Sequence, residues 1–307
     1  MIEARNSSWL ALTSLVLVLG GCCHPKDVLP RSTPGFWGPD DFTGSYDSAA
    51  KEPAINTQTT WNGDIVFTNL PRSVVSNVLP ADLQLAANVG DMPGQHPVVL
   101  MFGVQTNLRW VVPPIPAGNP YNEMILLIPF VQKVGGQKWH DYVVRMYLDW
   151  QMGVDGGNLL YGYRKELGTL VQSASLTQPP EFIYKVTQGN APRLTAQVTG
   201  QSAWMSDAAA KTALANYEDM KTIFGMPILG TWPASYATAS PYVCSYFVFQ
   251  WDAVSVRSAS TSFQFESNFV PNMDPWVAAG TLYNLKNGDF GVTGLSWQLT
   301  SPKTCDF

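Results

Sequence analysis

A mostly β domain carrying a few short helices is the fold class this sequence predicts, and three observations predict it. Apolar residues make up 46% of the chain and charged residues only 13%, which is ample material for a core and a poor match to disorder. Eleven tryptophans and twelve tyrosines suit a sheet-rich body with aromatic-lined surfaces or pockets. Short β-branched and aromatic runs, punctuated by glycine and proline, recur along the chain, while a single stretch repeats at helical spacing.

The N-terminus, residues 1–21, reads as an export leader. Arg5 supplies a basic n-region, Trp9 to Leu19 an apolar core, and Leu19-Gly20-Gly21-Cys22 a small-residue cleavage site. The apolar run is short for a membrane span. Its Leu-Gly-Gly-Cys ending resembles the bacterial lipobox, which implies cleavage before Cys22 and a lipid anchor on that cysteine. An ordinary signal peptide followed by an incidental Cys22-Cys23 pair is the alternative. Residues 22–60 hold Pro25, Pro30, Pro34, Pro39 and Pro53 among small polar residues and read as a tether. Residues 61–307 show no internal repeat and no second composition regime, so one domain is expected.

Within it, Asp64–Asn69 is predicted as the first strand, and Pro71 opens a short helix to about Leu79. Val98–Val104 is a strand by length and β-branching. Pro113, Pro114, Pro116 and Pro120 forbid regular structure before Glu123–Val131 resumes as a strand. Gly135-Gly136 closes a hairpin onto a strand opening at Asp141, in which Tyr142, Val144, Met146 and Leu148 share one face. Asp155-Gly156-Gly157 is predicted to be a turn. Gly168–Ser175, Phe182–Thr187 and Arg193–Thr199 read as strands. Ser206 is a good N-cap for a helix carrying Ala213, Tyr217, Met220 and Phe224 on one stripe, closed by Gly225 and Pro227. Strands follow at Tyr242–Trp251, Ala253–Ser260, Thr261–Phe269, Gly280–Leu285 and Val292–Leu299.

Export places the domain in an oxidising compartment. Setting Cys22 and Cys23 aside, Cys244 and Cys305 remain, and they are expected disulfide partners; two unpaired thiols are the alternative. A formal charge of -5 and a pI near 5.1 argue against a nucleic-acid partner. His24, His96 and His140 lack metal-ligand spacing, and Asp40-Asp41 lacks the further oxygens of a calcium loop. Neither a nucleophile elbow nor a glycine-rich phosphate loop occurs. No cofactor is expected.

The most informative stretch is Asp141–Gly168. It places one lysine, Lys165, among Leu160, Tyr161, Tyr163 and Leu167, where burial would strip its proton and make it a nucleophile. A lysine whose stem packs while its head reaches water is the alternative. Glu123, before Met124-Ile125-Leu126-Leu127, is the candidate acid/base; a solvated strand end is the bland alternative.

This stretch resembles the acetoacetate decarboxylase superfamily. The family pattern is a strand reading Tyr-hydrophobic-Met-Tyr-Leu-Asp, a Gly-Arg-Glu triplet, and a Gly/Ala-Tyr/Phe-Pro-Lys-Lys-Leu-Gly/Ala element. Met146-Tyr147-Leu148-Asp149 and Gly162-Tyr163-Arg164-Lys165-Glu166-Leu167-Gly168 match it at that spacing. Tyr121-Asn122-Glu123 looks like the family's Tyr-x-Glu, and weaker similarity runs from about Ile65 to about Pro271. The sequence departs at Gly157-Asn158-Leu159, at Arg164 and at Glu166. It also has no arginine in Thr59–Trp61 and no carboxylate near Phe102.

The resemblance implies a cone-shaped, largely antiparallel β-barrel with an enclosed pocket. It implies a carbon–carbon lyase in which Lys165 forms a Schiff base with a small keto acid or related carbonyl compound, Glu123 handles protons or orients substrate, and Tyr163 lines the pocket. Two alternatives use the same frame: a non-catalytic small-ligand-binding envelope lipoprotein, and a structural lipoprotein whose pocket has collapsed. The expected location is the bacterial envelope, anchored by lipid. Self-association is left open.

Overall fold

The computed structural model describes residues 55–87, 89, 94–110, 118, 120–175, 181–214, 217–232, 241–251, 253–266, 269, 282–305 and 307. The leader, Cys22, most of the tether, and Pro113, Pro114 and Pro116 lie outside the described residues. The first strand, β1 (Ile55–Pro71), opens earlier than expected, so 55–60 are sheet and not tether. They are held there by β-ladders on both sides.

Pro71 caps α1 (Arg72–Ser76), where its missing N–H costs nothing. After β2 (Leu83–Leu85), β3 (Gln95–Trp110) returns along β1, from Pro71 opposite Gln95 to Thr57 opposite Trp110. The hairpin of β4 (Tyr121–Lys133) and β5 (His140–Leu148) turns at Gly135, whose φ of 79° suits a residue without a side chain.

The next element corrects the sequence reading. Asp155-Gly156-Gly157 is not a turn but the middle of α2 (Gln151–Tyr161), which ends at Gly162 in the left-handed region. Each glycine costs about 1 kcal/mol against alanine in a helix, yet at two of the three an added Cβ would meet a neighbouring side chain. A Cβ on Gly153 would stand 2.6 Å from the Trp150 ring, and one on Gly157 would stand 2.3 Å from the Lys165 stem.

Strands β6 (Lys165–Leu167), β7 (Thr169–Ser175), β8 (Glu181–Gln188), β9 (Ala191–Gly200) and β10 (Met205–Ser206) follow. Ser206 caps the next helix, accepting from the Ala209 N–H. The single helix expected there is two, α3 (Asp207–Ala213) and α4 (Tyr217–Ile223). Leu214 turns extended, leaving Ala213 exposed, and Asp207 accepts from Tyr217 Oη and Lys221 Nζ, which ties α4 back onto α3.

The remaining strands are β11 (Ile228–Thr231), β12 (Tyr242–Ser245), β13 (Phe247–Gln250), β14 (Ser255–Phe265), β15 (Leu282–Thr300) and β16 (Lys303–Thr304). Here the punctuation differs from expectation. Tyr242–Trp251 splits because β12 pairs with β11 whereas β13 pairs with β15. The two strands expected between Ala253 and Phe269 are one, interrupted only by a bulge between Ala259 and Thr261. The last two expected strands are likewise one, β15; Gly280 lies outside the described residues.

The strands join one sheet along the path β16-β12-β11-β5-β4-β3-β1-β15-β14-β9-β8-β7, with β2 on β4, β6 on β5, β10 on β14 and β13 on β15 off that path, antiparallel except where β5 meets β6 and β11. The mostly β class with a few helices is therefore observed. The closed barrel is not: β7 lies alongside β4 and β5, but among the described residues no ladder joins the two ends of the path. Strand alternation gives the sheet two apolar faces. One gathers Val66, Leu100, Phe102, Leu126, Tyr147 and Phe263. The other gathers Trp61, Met101, Ile125, Met146, Tyr163 and, from α4, Met220. Cys244 and Cys305 form a disulfide between β12 and the C-terminal segment, with Cα atoms 4.9 Å apart.

The core also holds a costly group. Asp141 is fully buried, neither carboxyl oxygen has a hydrogen-bond partner, and burial holds its pKa well above the ordinary carboxylate range. It is therefore protonated in the fold and ionised in the unfolded chain above about pH 4. Stability on this account is full below that pH and falls as pH rises. Asp141→Asn is expected to be more stable than the parent at pH 7 and indistinguishable from it near pH 3. Urea unfolding at the two pH values checks this; equal stability at pH 7 would refute it.

Candidate functional site

Strand pairing brings the two sequence candidates together. Met146 of β5 lies opposite Lys165 of the parallel strand β6, and Leu148 lies opposite both Leu167 and Glu123. Lys165 is two residues from Leu167, so it and Glu123 occupy the same face of the sheet. The next residue, Glu166, turns to the other face. It pairs with Arg145 and accepts from Gln188, so it does not compete for the lysine. Arg164 is exposed, with its guanidinium 5.6 Å from the Tyr142 ring centroid, and does not reach the site.

Lys165 is half-buried as a residue, with its head turned in against α2. The stem packs against Gly157, and Nζ stands 5.7 Å from the Tyr163 ring centroid. Burial lowers the ammonium to a pKa of about 8, opposed by the charge of Glu123. Glu123 is 2% exposed, and burial raises it to about 7. Three groups oppose that rise: Lys165 through space, Gln105, which donates from Nε2 to Oε1 at 2.7 Å, and the indole N–H of Trp61. The Trp61 N–H is directed at the carboxyl without closing to a hydrogen bond. Each candidate thus sits near neutrality, where proton exchange at physiological pH costs least.

Tyr163 is buried, stacks on Tyr161 and shares a hydrogen bond with Ser245 Oγ. Burial pushes its phenol well above the ordinary range, so it stays neutral. With Glu123, Met146, Met101, Phe249 and Trp297 it lines a cavity whose walls are otherwise apolar. Lys165 is not on that wall; it touches the residues that are. The cavity has room for little more than one water molecule.

Several residues that hold the site were not singled out from sequence. Asn158 accepts from the Lys165 backbone N–H at 2.8 Å and donates to the Lys165 carbonyl at 2.9 Å, fixing the lysine backbone to α2 as a neighbouring strand would. Gln105, Trp61 and Ser245 reach the site from 18, 62 and 82 residues away in sequence from the groups they serve, a separation no local pattern reveals. Gly157 supplied a signal, since a glycine inside a helix asks for a packing reason. Gly157→Ala is expected to push the amine aside and slow any reaction at Lys165 by on the order of 10²-fold, the usual cost of about 1 Å of misplacement. The rate of covalent labelling at Lys165 checks this, and an unchanged rate would sink it. Among the described residues, His140, Cys244 and Cys305 are the one group placed to ligate a metal, and the disulfide removes both thiols.

No protein-family model and no curated protein matches the chain. Solved structures do. An acetoacetate decarboxylase-like enzyme from Sphingomonas wittichii RW1 is 14% identical at a TM-score of 0.57, over 82% of this chain and 93% of that one. The enduracididine biosynthesis enzyme MppR, complexed with pyruvate, is 15% identical at 0.55, over 81% of this chain and 89% of the other. The acetoacetate decarboxylase of Legionella pneumophila is 12% identical at 0.53, over 82% and 88%. The chain has the acetoacetate decarboxylase-like fold.

Proposed function

We propose that this chain, on its acetoacetate decarboxylase-like fold, is a lyase whose Lys165 amine forms a Schiff base with a small keto acid or related carbonyl compound. The observation that carries the reading is the placement of the Lys165 head against Gly157 and Tyr163, on the face it shares with Glu123 and clear of Glu166. At a pKa of about 8, roughly one amine in ten is neutral at pH 7, against about one in 2,500 for an ordinary lysine. Pyruvate bound to MppR, a structural neighbour, is consistent with ligands of this size and class.

The neutral amine attacks the carbonyl carbon to give a carbinolamine, whose hydroxyl takes the Glu123 proton and leaves as water, so that the iminium forms and Glu123 is left ionised. The iminium then accepts an electron pair. From a β-keto acid that pair comes from the breaking bond to the carboxylate, which departs as carbon dioxide. Glu123, reprotonated from solvent, gives a proton to the enamine carbon, and water hydrolyses the iminium to release the ketone and the neutral amine, its spare proton returning to the Glu123 carboxylate. Aldol and dehydration chemistry use the same iminium. Gln105 keeps the carboxyl aimed throughout.

Borohydride reduction in the presence of acetoacetate or pyruvate, read by intact mass and peptide mapping, tests the reading. An adduct on Lys165 is expected; its absence with every small ketone and keto acid would leave the non-catalytic binding protein as the better account, favoured by how little polar surface the cavity offers. We further propose export and lipid anchoring through Cys22, supported by Leu19-Gly20-Gly21-Cys22 and by a disulfide of the kind oxidising compartments permit. A Cys22→Ala variant is expected in the soluble fraction, and retention in the membrane would overturn this.

A further inference from the structure

We propose that Arg257 is the floor of an oxyanion site that takes a small monocarboxylate, on the face of the sheet opposite Glu123 and Lys165. The site is independent of the Schiff-base reading. Arg257 of β14 lies in register with Gly291 of β15, and Gly291 with Asp64 of β1. Asp64 alternates with Gly63, which pairs with Gly103 and through it with Glu123, so the two sites face opposite ways.

The strands leave room for this side chain. A Cβ on Gly291 would stand 2.5 Å from Arg257 Nε, and one on Gly200 would stand 2.8 Å from Nη1. The guanidinium is 2% exposed and lies 4.7 Å from the ring centroids of both Phe182 and Trp204. The aromatic contacts serve its π-face, not its N–H edge.

Part of that edge, at Nε, is unserved. A guanidinium offers five N–H donors in a planar fork. Nε has no hydrogen-bond partner, and the one carboxylate beside it among the described residues, Asp64, has Oδ1 at 3.9 Å from Nη2, too long for a hydrogen bond. Asp64 Oδ1 is itself without a hydrogen bond, while Oδ2 accepts from Tyr184. A buried cation left this way is costly, and the fork matches the two oxygens of a carboxylate.

Charge selects the ligand further. Burial raises Asp64 to about 6, against the lowering effects of Tyr184 and Arg257, so it is largely ionised at neutral pH. One cation facing one carboxylate tolerates a monoanion better than a phosphate dianion. Trp204, which covers one side of the guanidinium, is 47% exposed and lies between β9 and β10.

The experiment is thermal unfolding of the whole chain titrated with acetate or phosphate at constant ionic strength, chloride being the reference. Acetate cannot form an imine, and a Lys165→Ala background keeps the readout apart from the other site. Saturable stabilisation by acetate beyond chloride is expected, lost in Arg257→Gln. Asp64→Asn should tighten acetate by about fivefold or more, since two like charges near 4 Å apart repel by roughly that much even in water. No saturable acetate effect in the parent, or an effect that survives Arg257→Gln, overturns the proposal. Equal or tighter phosphate binding overturns the monocarboxylate assignment. Should Arg257→Gln fail to fold, Asp64→Asn decides: without tightening, the site is rejected.

Discussion

Lys165→Ala is expected to abolish borohydride-trappable adducts and to lower any carbonyl turnover by on the order of 10⁴-fold or more, the scale of removing a nucleophile. The fold should survive, because the amine donates no hydrogen bond that the structure depends on; the backbone contacts to Asn158 are unaffected by the side chain. The pH profile makes the claim sharper. Imine formation needs neutral Lys165 and protonated Glu123 together. Neutral amine increases as pH rises through about 8, while the acid is lost as pH rises through about 7. The product is a bell with its maximum between those values, whose limbs belong to the coupled pair. Glu123→Gln removes the charge that holds the lysine up, so the amine becomes neutral at lower pH. Its acidic limb should shift down and its alkaline limb flatten, with the rate falling about 10²-fold or more for loss of the acid. A bell that is unmoved by Glu123→Gln would separate Glu123 from the chemistry.

Replacing both Cys244 and Cys305 by serine is expected to cost about 4 kcal/mol, from the loop-closure entropy of a bridge spanning 61 residues. In a domain of this size that lowers the melting temperature by about 10 °C. The bridge fastens the last residues of the chain. β16 pairs with β12 over only two positions, and Phe307 leans on the rings of His140 and Tyr242. None of these contacts is large enough to hold a chain end without help. Differential scanning calorimetry of the double variant, and of the parent under reductant, reads the loss. A fall of under 2 °C would mean that the terminal packing suffices without the bond.

The strands were legible wherever one face is buried and the other is not, because alternation then appears in the letters. β8 and β9 came out within a few residues for that reason, whereas β4 and β5, buried on both faces, came out as apolar runs bounded by proline and glycine. Asp155-Gly156-Gly157 misled because glycine marks turns by local conformation, whereas here it marks two places where a helix has to make way for a ring and a lysine. Asn158, one of the departures from the family pattern, is a bidentate clasp on the lysine backbone.

By itself, the sequence determined the sheet-rich class, most strand positions and the two residues, Lys165 and Glu123, on which the proposed chemistry turns. Those follow from short-range patterns: periodicity, turn residues, and a run of neighbours spaced like those of a known family. Tertiary structure decided which groups surround them, that Glu166 faces away, that the lysine head packs against α2, and that Arg257 is buried with Nε unserved. Such facts depend on distant strands meeting, and on the loss of water when they do. Both are set by the whole fold and by no single stretch of it.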